Sequence, residues 1–147
     1  MDIKKYFEFI EIESSYLNNL LLKTINKIID SGFRQDLSFG AIIEGSTFSG
    51  EIGEVTEDNY IRINSNQLKK HEDDIAMAII AHELAHSHLK HFESWENSLE
   101  KEYEADNLAR EWGFDINRFH KICGPPTIQS HIVNLKLNSQ KKPLTRR

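Results

Sequence analysis

Two histidines and a glutamate stand at a spacing that suits a bound metal ion. His82, Glu83 and His86 form the pattern His-Glu-x-x-His, and residues four apart share one face of a helix, with Cβ atoms roughly 5–6 Å apart. Two imidazoles so placed can bind one zinc ion through bonds of about 2.0–2.1 Å. Glu83 projects about 100° around the helix from His82, where a general base acting on metal-bound water has to stand. The motif therefore predicts a metal site with hydrolytic chemistry.

The residues before this motif indicate that it lies on a buried helix. Residues 75–81 are apolar on all sides, which is typical of a helix that runs through a core. Asp73 or Asp74 is expected to cap this helix, and neither Gly nor Pro interrupts it before His91. Histidines on an apolar face need polar partners, and a metal ion is one such partner.

A second helix, predicted over about residues 98–112, offers the third ligand that a catalytic zinc site requires. His88 and His91 point away from His86 for as long as the first helix lasts. Glu102 and Asp106 instead occupy an apolar stripe of the second helix. If the two helices fold back antiparallel, Glu102 stands level with His86. Asp106, one turn further on, can then accept a ring N–H from a ligating histidine.

The other acids of the second helix predict a solvated face. Glu100, Glu104 and Glu111 share a polar stripe with Asn107. Gly113 is placed to end this helix, and residues 115–121 predict a short further helix before Gly and two prolines at 124–126 break the chain.

The remaining elements predict a single α+β domain. Apolar residues at helical spacing over 3–29 predict one or two N-terminal amphipathic helices. Short apolar runs at 41–43, 52–55 and 60–63 predict a small antiparallel sheet of two to four strands, with a hairpin turn at 57–59. The domain is expected to cover residues 1–138 and to be followed by a basic, flexible tail at 139–147.

Composition and charge exclude several classes of protein. The 147 residues suffice for one domain, and a net charge of -5 argues against a nucleic-acid partner. Cys123 is the single cysteine, so no internal disulfide forms and a reducing compartment is expected. No apolar run approaches the roughly 18–20 residues that span a bilayer, and no signal peptide is evident. We expect a soluble, cytoplasmic monomer that binds neither membrane nor nucleic acid.

Together the motifs resemble the gluzincins, and in particular the M48 family of zinc metallopeptidases. HELAHSHLKH at 82–91 is similar to the H-E-L-x-H-x-x-x-x-H helix of that family. EYEADNLA at 102–109, with Gly-Phe-Asp at 113–115, is similar to its E-x-E-A-D segment. YIRIN at 60–64 resembles its edge strand, and Ser130-His131 more loosely resembles its Thr-His-Pro, with Ile132 in place of the proline. The resemblance covers about residues 60–135 and fits a minimal, soluble form, a minigluzincin.

This resemblance implies a zincin-like fold, in which the helix of the His-Glu-x-x-His motif packs on a Glu-bearing helix. It implies a zinc-dependent endopeptidase with one zinc ion per chain. His82, His86 and Glu102 would be the zinc ligands. Glu83 would be the general base and proton shuttle, and Asp106 would orient a ligating histidine.

The resemblance also implies how a protein or peptide substrate would bind. The substrate would pair with an exposed edge strand, which consists of Tyr60, Ile61, Arg62, Ile63 and Asn64. A hydrogen-bond donor should meet the oxyanion that forms during peptide hydrolysis. His131 is the first candidate for this role and His120 the second.

Two other interpretations stay open. An ImmA/IrrE-like regulatory metalloprotein would keep the metal site and act on a protein partner, such as a repressor, by cleavage or by binding. Proteins of that kind usually have Glu-Ala-Asn where this chain has Glu104-Ala105-Asp106, so Asp106 favours the gluzincin interpretation. A zinc-stabilised structural domain is the other alternative, and Glu83 argues against it because a structural site has no use for a base.

Overall fold

The computed structural model describes residues 2–33, 36–93, 99–126 and 132–133, and these residues form an α+β structure. The α-helices of the described residues are Ser15–Asp30 (α1), Ser65–Leu68 (α2), Asp73–His88 (α3), Leu99–Glu111 (α4) and Ile116–Cys123 (α5). The strands are Phe7–Glu11 (β1), Phe39–Glu44 (β2), Gly53–Thr56 (β3), Tyr60–Ile63 (β4) and Ile132–Val133 (β5). The predicted α+β class is confirmed.

The sheet is mixed, so the prediction of an antiparallel sheet is wrong. The strand order is β1-β2-β4-β3-β5. Only β3 and β4 pair in antiparallel fashion, whereas the β1–β2, β2–β4 and β3–β5 pairs are parallel. Parallel neighbours need a long crossover connection, and α1 provides it between β1 and β2. The spacing of apolar runs predicts that strands exist but does not predict their direction.

Strand β4 lies inside the sheet, so the prediction of an edge strand at Tyr60, Ile61, Arg62, Ile63 and Asn64 is also wrong. Ile61 is opposite Ile42 of β2 on one side and opposite Val55 of β3 on the other. Both edges of the strand are therefore used by its neighbours. Asn64 follows the strand, and its side chain caps α2 by accepting the backbone N–H of Gln67 at 3.2 Å.

Strand β1 replaces the first part of the predicted N-terminal helix. After a 3-10 turn at Ile3–Tyr6, the chain extends, and the buried Phe7 packs on Phe39 of β2 with ring centroids 5.1 Å apart. Helix α1 begins only after Ser14, and it ends at Asp30 with Ser31 as its C-cap. Phe7 pairs with Phe39, which is far away in the chain. Pairing between such distant residues cannot be recognised from the spacing of apolar residues within one segment.

Helix α1 is held at its first turn by a carboxylate from the sheet. Glu44, the last residue of β2, accepts the backbone N–H groups of Glu13 and Ser14 at 2.8 and 2.9 Å. The Ser14 hydroxyl in turn caps the helix by accepting the N–H of Leu17 at 3.1 Å. Burial raises the pKa of Glu44, but hydrogen bonds from Ser14, Ser65 and the backbone outweigh it and lower this pKa to about 2. The carboxylate therefore stays ionised and joins α1 to the sheet.

Helix α3 is buried along most of its length. It begins after Glu72, which makes no side-chain cap, so the predicted capping by Asp73 or Asp74 is wrong. Both acids lie instead in the first turn, where they interact favourably with the helix dipole. Arg118 of α5 forms ion pairs with Glu72 and Asp74, which attach α5 to the start of α3.

The predicted hairpin turn between β3 and β4 is confirmed, and it is attached to α3. Asn59, at a φ of 61°, donates its backbone N–H to Thr56 at 2.9 Å. The Ser87 hydroxyl on α3 donates to the Asn59 side chain at 2.7 Å and accepts the N–H of Gly40 at 3.0 Å. A Cβ atom at Gly40 would lie 1.8 Å from the Asn59 carbonyl oxygen. Position 40 therefore requires glycine.

Among the helices of the described residues, none is both long enough and apolar enough to cross a bilayer.

Candidate metal centre

The structure brings together the three predicted ligands from two helices. His82 and His86 lie one turn apart on α3, Glu102 lies in the first turn of α4, and all three are buried. The Nε2 atoms of the two histidines are 3.1 Å apart. The Glu102 carboxylate oxygens lie 3.1 Å from Nε2 of His82 and 3.0 Å from Nε2 of His86. One donor atom from each residue therefore lies within 4.8 Å of the others.

This group of donors fits a metal ion. Two imidazole nitrogens and a carboxylate converge on one point, and burying a carboxylate is costly unless positive charge accompanies it. Two histidines with one glutamate are also a donor set of catalytic zinc sites that keep a further position open. The buried group of His82, His86 and Glu102 could therefore hold a metal ion.

The charges around these residues favour a cation. Burial lowers the pKa of His82, but hydrogen bonds to Asp106 and Glu102 and the charge of Glu83 outweigh it and raise this pKa to about 10. Burial raises the pKa of Glu102, but bonding to His82 and His86 brings it well below its ordinary value. The carboxylates thus concentrate negative potential at the point where the imidazoles meet.

Asp106 lies where the stripe of the second helix predicts it. Its Oδ1 atom lies 2.8 Å from Nδ1 of His82, and its side chain is 1% exposed. Burial raises the pKa of Asp106, but hydrogen bonding to His82 lowers it below its ordinary value. An ionised carboxylate only accepts hydrogen bonds, so Nδ1 of His82 donates to it and Nε2 faces the other ligands.

His91 enters the site although helix periodicity alone points it away. Helix α3 ends at His88, and Lys90 turns the chain with a φ of 61°. Nδ1 of His91 then lies 2.8 Å from Nδ1 of His86, and its Nε2 lies 2.7 Å from Glu104. Glu104 is half exposed, as its polar stripe predicts, yet it also binds this histidine. Burial lowers the pKa of His91, although the charge of Glu104 opposes this shift. The signal available in the sequence was the match of His91 to the last histidine of the family motif.

His88 instead is partly buried and packs against aromatic side chains. Its ring packs edge-on against Phe33 and Trp112, with centroids 5.6 and 6.4 Å away. Burial lowers its pKa. This environment agrees with the prediction that His88 does not join the ligands.

Glu83 is buried and lies against β3. A Cβ atom built on Gly53, the first residue of β3, would lie 2.8 Å from Cγ of Glu83 and 3.2 Å from its Oε2. The absence of a side chain at Gly53 therefore leaves space for the glutamate. Strand β3 therefore lies beside the predicted base.

A cleft borders the centre between β3 and α5. It has a volume of about 160 Å³, and His82 and Glu102 form part of its wall. The rest of the wall comes from α3, from the residues around the start of β3 and from the end of α5 with the residues that follow it, namely Ile79, Glu51, Ile52, Gly53, Phe119, His120, Cys123, Gly124, Pro125 and Pro126.

Of the two candidate oxyanion donors, only His120 can be placed. Its ring stacks on Phe119, and its nitrogens lie 2.6 Å from Asp106 and 3.0 Å from the Gly124 carbonyl oxygen. His120 thus contacts the same carboxylate as His82. His131 lies outside the described residues, as does the predicted tail at 139–147.

Comparisons of the chain with protein families, with curated proteins and with solved structures find no match. The fold and the site define the chain as an α+β protein with a buried His-His-Glu group that could hold a metal ion. Its resemblance to gluzincins rests on the sequence motifs.

Proposed function

We propose that this chain is a zinc-dependent endopeptidase with a zincin-like fold of the gluzincin type. The observation that carries the proposal is the convergence of His82, His86 and Glu102 within a buried space, with Glu83 on the same helix as the two histidines. A structural metal site needs four protein ligands, whereas this group supplies three and borders a cleft. Such an arrangement suits a site that must admit water and substrate.

Each residue of the site would have a separate role in peptide hydrolysis. Zinc held by His82, His86 and Glu102 would polarise the scissile carbonyl group and lower the pKa of a bound water toward about 7. Glu83 would take a proton from the attacking water and pass it to the departing amine. Asp106 holds Nδ1 of His82, so that Nε2 of this ring stays directed at the other ligands.

The substrate would be a protein or peptide that lies in the cleft between β3 and α5. Two of the three proposed ligands, His82 and Glu102, border this cleft, and Glu83 packs against Gly53 of its wall. Ile52, Ile79 and Phe119 give the wall apolar surface. A peptide bound there would have its scissile bond beside the proposed base.

The decisive experiment compares Glu83→Gln with wild-type protein in zinc content and in cleavage of casein. We expect the variant to keep about one zinc ion per chain, because the ligands are untouched. Cleavage should fall at least 10²–10⁴-fold, the usual contribution of a general base. Glu100→Gln, at an exposed acid of α4, is the matched control and should cleave like the wild type.

Each other outcome of this experiment has a definite meaning. Cleavage that survives in Glu83→Gln removes this residue from the mechanism. A wild-type protein that binds zinc but cuts nothing favours the alternative, an ImmA/IrrE-like regulatory protein or a binding module that acts on a protein partner. A wild-type protein that takes up no zinc contradicts the proposal altogether.

A further inference from the structure

His91 connects one predicted metal ligand to a carboxylate at the protein surface. Its ring is 7% exposed and lies between His86 on α3 and Glu104 on α4. Both of its nitrogens are in hydrogen-bonding contact, at 2.8 Å to Nδ1 of His86 and at 2.7 Å to Oε1 of Glu104. Neither His91 nor Glu104 belongs to the group of three donors described above.

The direction of these two hydrogen bonds follows from the chemistry of the groups. A carboxylate only accepts, so Nε2 of His91 must donate to Glu104. A neutral imidazole carries one N–H, which leaves Nδ1 of His91 as an acceptor. Nδ1 of His86 must then donate to it. His86 is thereby left with the lone pair of its Nε2 atom, and this atom faces His82 and Glu102.

We infer that His91, held by Glu104, is a positioning residue that fixes the tautomer and the ring orientation of His86 for metal binding. This inference rests on the proposed function, because it concerns a ligand of the proposed zinc site. Partners of ligating histidines set which ring nitrogen is presented to the metal. His91 does for His86 what Asp106 does for His82.

The two ligating histidines have partners of different charge, since His82 contacts the Asp106 carboxylate and His86 contacts the His91 ring. The burial of these partners gives a reason for the difference. Asp106 is 1% exposed and brings a negative charge next to His82. Glu102 and Glu83 are also buried acids of this centre. A further buried carboxylate at His86 would add repulsion and a desolvation penalty. With the ring of His91 in between, the Glu104 carboxylate remains 53% exposed and can still orient the chain of hydrogen bonds.

Variants at position 104 test the inference with little risk to folding, because this side chain is at the surface. Glu104→Leu removes the acceptor for His91, whereas Glu104→Gln keeps an oxygen that can accept the same N–H. Glu100→Leu, at another exposed acid of α4, is the matched control. His91→Phe keeps an aromatic ring and removes both nitrogens. The measurements are zinc affinity, by competition with a chromophoric chelator, and the visible spectrum of the Co²⁺-loaded protein.

We expect Glu104→Leu and His91→Phe to lose about ten- to a hundredfold in zinc affinity, the usual effect of removing the partner of a ligating histidine. Their Co²⁺ spectra should change as well, because the His86 ring is reoriented. Glu104→Gln and Glu100→Leu should retain the affinity and the spectrum of the wild type. Retention by Glu104→Gln separates an oriented hydrogen bond from a simple effect of charge.

Wild-type affinity in both Glu104→Leu and His91→Phe would overturn the inference. Equal losses in Glu104→Gln and Glu104→Leu would also overturn it, since charge alone would then explain the effect. If His91→Phe fails to fold, the variants at position 104 decide. A wild-type protein that binds zinc, together with unaffected variants, contradicts this inference alone. A wild-type protein that binds no zinc contradicts the proposed function too.

Discussion

Replacing Gly53 by alanine should displace the proposed general base without removing a ligand. The added Cβ would lie 2.8 Å from Cγ of Glu83 and 3.2 Å from Cδ1 of Ile63. Carbon atoms in contact prefer a separation of about 3.5–4.0 Å, so the Glu83 side chain has to retreat by roughly 1 Å. Because α3 is buried around Glu83, the side chain cannot retreat without disturbing its neighbours.

The size of the effect follows from this displacement. A misplacement of about 1 Å at a reacting group can cost on the order of 10²-fold in rate, which corresponds to about 2.7 kcal/mol in the activation free energy. Overpacking also costs about 1–3 kcal/mol of stability. We therefore expect Gly53→Ala to lower kcat/KM about 10²-fold and to keep one zinc ion per chain. Cleavage of a fluorogenic peptide and the zinc content of the same sample provide the two measurements.

A double-mutant cycle shows whether the effect of Gly53→Ala passes through Glu83. In a Glu83→Ala background the clashing Cγ atom is gone, so Gly53→Ala should reduce the free energy of unfolding by less than it does in the wild type. Part of the cost should remain, because the contact with Ile63 persists. The same cost in both backgrounds, or a wild-type kcat/KM in Gly53→Ala, would refute the proposed packing of β3 against the base.

Three further predictions concern the ligands and the scaffold. Glu102→Ala should weaken zinc binding far more than Glu100→Ala in a chelator titration, and the reverse order would show that the other face of α4 binds the metal. Glu44, with its pKa lowered to about 2, should stabilise the fold fully above pH ~4.5 and lose this contribution as the pH falls toward ~2. This contribution to the free energy of unfolding is about 1 kcal/mol after allowance for solvent screening. Urea unfolding at several pH values should show that Glu44→Gln lacks this part of the pH dependence. Gly40→Ala should lower the unfolding free energy by at least 1–3 kcal/mol, since its Cβ would overlap the Asn59 carbonyl group, and a wild-type Tm would contradict this docking of the hairpin.

Much of the candidate site could be predicted because it obeys helix periodicity. His82 and His86 are four residues apart and therefore share a face of any α-helix that contains them. The apolar stripe that contains Glu102 and Asp106 identifies the face of α4 that turns inward. These inferences need only the geometry of each helix and the assumption that the two helices pack antiparallel. The ends of α4 and α5 were predictable for a similar reason, since Gly113 and Gly124 both take a positive φ.

The parts that could not be predicted depend on contacts between distant segments. Phe7 belongs to a strand because it pairs opposite Phe39, and β4 lies inside the sheet because β2 pairs with its second edge. Neither neighbour is visible in the local pattern. Helix periodicity directs His91 away from the ligands for as long as the helix continues, but α3 ends at His88 and Lys90 adopts a positive φ.

The short stretch of chain that separates the proposed ligands has a consequence for the order of folding. His82 and Glu102 are only 20 positions apart, and the entropy lost on closing a loop of that size is modest. All three proposed ligands lie on α3 and α4, so an ion can bind to them without any pairing of strands. A divalent ion could therefore cross-link the two helical segments while the sheet is still assembling. Refolding from urea should accordingly proceed faster when zinc is in the buffer from the start than when it is added at the end.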